Sequence, residues 1–170
     1  MPKQYGQACP VAKTLEIVGD RWTLLLVRDL LSGTRRFQDL ESSLSGIAPN
    51  ILSDRLKLME ENGLVSRRLY SDHPPRAEYT LTEKGRALGT VVGALAYWGS
   101  QHVYKRAKLV HTECGHPVKL GYHCPECGDR VRGGAVAIHP PRAAARPREA
   151  APATAPRRRG AAKRASRSSK

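Results

Sequence analysis

The fold is decided between Phe37 and Gly85. Phe37-Gln38-Asp39-Leu40 is followed by Gly46-Ile47-Ala48-Pro49-Asn50-Ile51-Leu52-Ser53-Asp54-Arg55-Leu56-Lys57-Leu58-Met59-Glu60-Glu61-Asn62-Gly63-Leu64-Val65, then by Glu78-Tyr79-Thr80-Leu81-Thr82-Glu83-Lys84-Gly85. Phe37, Leu40 and Leu44 fall at i, i+3 and i+7, the spacing of a short helix. Pro49 suits the first position of a second helix, which runs to about Asn62 and stops before Gly63. Its inner face is Leu52, Leu56 and Met59, so Asn50, Ser53, Asp54 and Lys57 point elsewhere. Leu64–Tyr70 and Ala77–Leu81 read as two strands joined by a loop, Ser71-Asp72-His73-Pro74-Pro75-Arg76. Thr82 then caps a last helix. Helix, turn, helix, hairpin, helix in so few residues is an order that usually presents one helix to a DNA groove.

Working outward, Val11, Ala12, Leu15 and Val18 have helical spacing and stop at Gly19. Asp20 is a suitable N-cap for a helix over Arg21–Leu31, with Gly33 closing it at C′. Downstream, Leu88, Val91, Val92, Leu95 and Trp98 share one face of a helix expected to reach about Lys105. That face is wider than a small helical core needs, and it implies a partner chain. Only 5% of residues are aromatic, so the core is expected to be mostly Leu, Val, Ile and Ala.

Charge agrees with a polyanionic partner. The chain of 170 residues carries a formal +14 with a pI near 10.2. Pro140–Lys170 holds eight Arg and two Lys against one Glu, a net +9, leaving +5 on residues 1–139. Nucleic acid fits first and an anionic membrane surface second. The longest purely apolar run is Leu24-Leu25-Leu26-Val27, so no membrane span is expected. The N-terminus lacks a charged-then-apolar signal pattern. The expected location is therefore cytoplasmic and nucleoid-associated, where cysteines serve more often as metal ligands or redox thiols than in disulfides.

The organisation expected is α+β and mainly helical: a winged helix-turn-helix over 1–107, a small zinc-ribbon-like appendage over 108–138, and a disordered basic Ala/Pro/Arg tail over 139–170. In the tail no apolar side chain exceeds Ala, too little to offset chain entropy.

Residues 9–103 resemble the HxlR-type winged helix-turn-helix regulators of bacteria. The resemblance runs through Cys9-Pro10, Gly19-Asp20-Arg21-Trp22-Thr23, Leu30-Leu31-Ser32-Gly33, Arg36-Phe37, Gly46-Ile47, Leu52-Ser53-Asp54-Arg55-Leu56, Asn62-Gly63-Leu64-Val65-Ser66-Arg67, Pro74-Pro75-Arg76, Glu78–Gly85 and Trp98-Gly99. It implies a transcription factor that binds double-stranded DNA as a homodimer, pairing through its N-terminal and last helices, with repression the expected sign. It also marks a departure. The family usually has Ser just before the second helix of the motif, and here Ala48 stands there. Ala is a poor N-cap, costing about 1 kcal/mol relative to Ser.

The candidate DNA-binding residues are Arg36, Pro49, Asn50, Ser53, Asp54, Arg55, Lys57, Arg67, His73 and Arg76. Asn pairs bidentately with adenine; Lys touches guanine or phosphate. Asp54 repels phosphate, so it either accepts from cytosine or holds Lys57 or Arg55. Arg55 lies near the inner face, open to either an ion pair or a phosphate contact. Arg67, Arg68, His73 and Arg76 surround the hairpin and suit phosphates or a minor groove, with solvated charge the plainer alternative.

His111-Thr112-Glu113-Cys114-Gly115 and Cys124-Pro125-Glu126-Cys127-Gly128 share one plan: ligand, two residues, Cys, Gly. Two such turns supply the four ligands of a closed, structural Zn2+ site: His111, Cys114, Cys124 and Cys127. His116 or His123 are alternatives to His111, and a reduced, exposed Cys cluster or a redox role is the alternative to zinc. Cys9-Pro10 opens the first helix, where the dipole favours a thiolate, and Lys13 sits one turn on. In several proteins of the resembled family a Cys here senses oxidants or electrophiles, so Cys9 is a candidate redox sensor; the alternative is an inert thiol.

No nucleophile–base pairing, Gly-rich phosphate loop or open metal site appears, so an enzyme is not expected. Two other classes remain: a non-specific architectural DNA-binding protein driven by the basic tail, and a winged helix that docks protein.

Overall fold

The structure is a computed structural model and describes residues 4–131 and 133–138. The expected basic tail over 139–170 lies outside the described residues. In order the elements are α1 (Pro10–Val18), α2 (Thr23–Leu30), β1 (Arg35–Arg36), α3 (Phe37–Ser43), α4 (Pro49–Glu61), β2 (Val65–Asp72), β3 (Pro75–Leu81), α5 (Glu83–Ala87), α6 (Gly89–His102), β4 (Tyr122–His123) and β5 (Arg130–Val131). All the described residues fall in one unit.

The core is built from the faces that periodicity assigned. Leu52, Leu56 and Met59 of α4 are buried against Leu26 and Val27 of α2, Leu40 of α3, and Leu64, Val65, Tyr79 and Leu81 of the hairpin. Between α3 and α4, Leu44 and Ile47 are buried and anchor the turn, and the Ile47 N–H donates to Leu44 O at 3.0 Å. Gly46 sits between them at φ +91°, a conformation that a side chain opposes. The wing is antiparallel, with strand order β1-β3-β2. Thr82 caps α5: the Gly85 N–H donates to Thr82 Oγ1 at 3.1 Å.

Four details differ from the sequence expectation. The second helix begins at Thr23, not Arg21, and Asp20 does not cap it; its N-cap is Trp22, with no side-chain cap bond. Asp20 is engaged elsewhere, by Arg55. The hairpin strands run on to Asp72 and Pro75, so the expected six-residue loop shrinks to His73-Pro74. A third strand, β1, pairs Arg35 with Tyr79 and Arg36 with Glu78; two residues are too short to show a period of two. Finally, the last helix is broken in two. The Leu88 N–H bonds Gly85 O at 3.1 Å, three residues back instead of four, and this tight turn separates α5 from α6. Gly89 follows against Leu31, where a Cβ would come within 3.2 Å of Leu31 Cδ2.

No helix among the described residues is long and apolar enough to cross a membrane.

Candidate nucleic-acid interface

With Leu52, Leu56 and Met59 turned inward, α4 presents Asn50, Ser53, Asp54 and Lys57 to solvent. These fall at i, i+3, i+4 and i+7, one continuous stripe along two turns. Its N-terminus is open. Ala48 is the N-cap and makes no side-chain cap bond, while Pro49 at the first position has no N–H to satisfy. The amides of Asn50 and Ile51 therefore point out of the helix end with no side chain to receive them, an arrangement that suits an anion such as a phosphate oxygen.

The charges along the stripe are sorted by tertiary contacts. Arg55 donates its guanidinium to the carboxylate of Asp20, in the turn between α1 and α2. Its side chain is 25% exposed, and it belongs to the packing of α4 on the turn that follows α1. Lys57 lies 3.9 Å from Glu61 with 77% of its side chain exposed, so it is free to move to another anion. Asp54, exposed, forms an ion pair with neither residue among the described residues.

The second part of the surface is the wing. On β2, Arg67 and Arg68 point to opposite faces, as alternation requires. Arg68 is paired across the sheet with Glu78, its Nε 2.7 Å from Oε1. Arg67 is opposite Tyr79, and with Arg76, Gln38 and Tyr70 it lines a groove between α3 and the hairpin. The Arg36 guanidinium lies over the Tyr70 ring, 4.8 Å from its centre. Tyr70 thus carries Arg36 on its ring and shares the groove with Arg67 and Arg76, three of the cations named from the sequence. Among the described residues these three form no ion pair. His73 occupies the exposed tip of the hairpin. Tyr70 and Gln38 were missed in the sequence; an aromatic among basic residues on a strand was the available signal.

Cys9 is the half-buried N-cap of α1, extended at φ −130° and ψ 130°. The Lys13 ammonium expected beside it is committed to Glu16, at 3.0 and 2.9 Å from the two carboxylate oxygens. With the Tyr5 N–H added at 3.0 Å, Lys13 holds the Glu16 carboxyl below the usual range.

Between residues 108 and 138, His111 with Cys114 and Cys124 with Cys127 form two separate pairs. His111 Nδ1 lies 3.1 Å from Cys114 Sγ. The Cys127 N–H and side chain, with the Glu126 N–H, hold the Cys124 thiol below its ordinary pKa. Among the described residues, no three such donors are gathered around one point.

Residues 17–107 match the HxlR-like helix-turn-helix family. An HTH-type transcriptional regulator of Mycobacterium tuberculosis, Rv3095, is 39% identical over 134 residues, 76% of this chain and 84% of its own. A Pseudomonas aeruginosa protein described as a transcription factor, PA1374, superposes with a TM-score of 0.62 at 36% identity, covering 81% of this chain and 95% of that one. That coverage exceeds residues 1–107, so the likeness extends into the appendage. The redox regulator HypR in its reduced form gives a TM-score of 0.52 at 32% identity, over 58% of this chain and 99% of its own.

Proposed function

The chain belongs to the HxlR-like helix-turn-helix family, and from that membership we propose that it is a sequence-specific DNA-binding transcriptional regulator working as a homodimer. The observation that carries the reading is the solvent stripe of α4. Asn50, Ser53, Asp54 and Lys57 are exposed on a helix whose opposite face is the buried core, so the helix is rigid while its outer face is open. In a major groove that stripe reads base edges. The open amides at the start of α4 and the cations around Tyr70 take phosphates on either side, fixing register.

The apolar residues left outside support the dimer. On α1, Val11 and Leu15 are 52% and 40% exposed; on α6, Leu95 and Trp98 are 52% and 58% exposed. Large side chains repeated along the first and last helices are what a second copy would bury. Repression is the sign we propose, because occupancy of promoter DNA alone produces it.

We add a redox response at Cys9, supported by its place at the helix N-terminus and by the likeness to HypR. An oxidant should then change the DNA affinity of the wild type and leave that of Cys9→Ser unmoved; an equal change in both removes the proposal.

The central test measures binding to DNA from the gene's own upstream region against scrambled DNA of equal length, for the full chain and for residues 1–139, at two salt concentrations. A preference that survives higher salt in both proteins is expected. Equal, salt-sensitive binding to the two DNAs would instead mark an architectural protein driven by the +9 of residues 140–170. No binding to any duplex by residues 1–139 would leave the α4 face to a protein partner.

A further inference from the structure

The two cysteine-bearing loops are built on one backbone pattern, thirteen residues apart. The Gly115 N–H donates to His111 O at 2.8 Å, and the Gly128 N–H to Cys124 O at 2.9 Å. The His111 N–H donates to His116 O at 2.9 Å, and the Cys124 N–H to Asp129 O at 3.0 Å. Both glycines stand at φ +70°, a conformation in which a Cβ is opposed. Each loop tops a small antiparallel pairing, Val110 with Pro117 in the first and His123 with Arg130 in the second. The same turn, closed by the same bonds, has thus been formed twice. In each, the residues at the first and fourth positions face one another across the loop.

Apolar burial does not hold these loops. From 108 to 138 no described residue is buried, and only Leu109, Cys124 and Val131 are half-buried. Val110, Tyr122 and Ile138 are 49%, 57% and 60% exposed. A segment of this size without a core requires a cross-link or a metal to offset its chain entropy. Disulfides are absent among the described residues, and Cys114 and Cys127 are exposed free thiols. Two thiols left in water on tight, glycine-terminated turns gain nothing for the fold until something binds them.

We propose that the two loops close on one structural Zn2+ ion, with His111 and Cys114 from the first and Cys124 and Cys127 from the second. Thiolate and imidazole are the donors zinc prefers, and four protein ligands leave no position for a reacting water. The structure favours His111 over His116 and His123. A zinc–sulfur bond of about 2.3 Å and a zinc–nitrogen bond of about 2.0 Å at a tetrahedral angle set S and N about 3.5 Å apart. His111 Nδ1 and Cys114 Sγ are already 3.1 Å apart, and a small opening of that pair admits the ion. The ion joins two half-sites which the described structure shows as separate pairs, and metal binding is then part of folding the appendage. This inference does not depend on the DNA-binding reading.

The test is metal analysis of the full chain, purified reduced and without chelator from zinc-supplemented cells. One zinc per chain is expected. Cys114→Ser, Cys124→Ser and Cys127→Ser should each lose it, as should His111→Ala, while His116→Ala, His123→Ala and Cys9→Ser keep it. Far-UV circular dichroism separates loss of metal from loss of fold, since the winged core has its own buried residues. As an independent readout, Co2+ added to the apo chain should give thiolate charge-transfer absorption, and chelation should open residues 108–138 to protease. A full chain that carries no zinc and takes up no Co2+ overturns the proposal. So does zinc retained by the Cys124→Ser/Cys127→Ser double variant. Zinc kept by His111→Ala but lost by His123→Ala overturns the ligand assignment.

Discussion

Arg55 on α4 gives its guanidinium to Asp20, in the turn between α1 and α2, thirty-five residues earlier in the chain. Two residues along α4, and so on a different face, the cation of Lys57 is 77% exposed and only loosely met by Glu61 at 3.9 Å. The pair also ties the proposed reading helix to the turn that follows α1, a helix whose outer face carries Val11 and Leu15.

Arg55 and Lys57 should therefore behave differently. Arg55→Ala costs stability, by roughly 0.5–1 kcal/mol because the pair is partly exposed, and leaves sequence preference unchanged. Lys57→Ala leaves stability alone and weakens specific DNA binding by about 1–3 kcal/mol. Urea titration and fluorescence anisotropy measure the two effects. Equal losses of DNA affinity would mean that Arg55 also reaches the duplex.

Ala48 leaves α4 without a side-chain cap. Ala48→Ser should raise stability by about 1 kcal/mol, as a hydroxyl accepts from the open amides. A gain in melting temperature checks this. No gain would show that the amides are satisfied by water at no cost.

Gly85 is where α5 lands on the end of the wing. A Cβ there would stand 2.0 Å from Leu64 O and 2.9 Å from Leu81 Cδ2. The obstacle is backbone, which cannot swing aside, so Gly85→Ala should cost about 2–3 kcal/mol despite its better helix propensity. A loss below about 1 kcal/mol would mean that the two segments part easily.

Leu95 and Trp98 stand on the outer side of α6, while Leu88 and Val92 pack on the core. Leu95→Glu with Trp98→Glu should leave the circular dichroism unchanged and give a monomer in sedimentation equilibrium. A dimer that persists would place the interface elsewhere.

Ser43 at the end of α3 donates to Asp29 of α2 at 2.7 Å. Burial raises the Asp29 pKa, but hydrogen bonds from Arg28 and Ser43 outweigh it and hold the carboxyl below its ordinary value. A depressed carboxylate pKa stabilises the fold at neutral pH and ceases to do so as pH falls through the lowered folded value. Ser43→Ala should cost about 1 kcal/mol at neutral pH, and the deficit should shrink toward zero in acid. A deficit independent of pH would assign the effect to packing.

The sequence by itself determined the helix-turn-helix, the hairpin and the Thr82 cap. Their signals are local: apolar positions repeat within a turn, and Pro49, Gly46 and Gly63 punctuate over one or two residues. The solvent stripe of α4 was legible for the same reason, since naming Leu52, Leu56 and Met59 as the inner face leaves only the other side. Tertiary structure decided what each polar group on that surface does. Asp20 reads as a cap locally and is a partner of Arg55 in space. Arg36 of β1 reaches the Tyr70 ring of β2, and Tyr70 shares a groove with Arg67 and Arg76, only once the three strands are folded together. Of the apolar stripe from Leu88 to Trp98, Leu88 and Val92 pack on the core while Leu95 and Trp98 are left open. An ion pair or a groove forms between segments far apart in sequence. Its existence depends on where packing brings them, which no local period encodes.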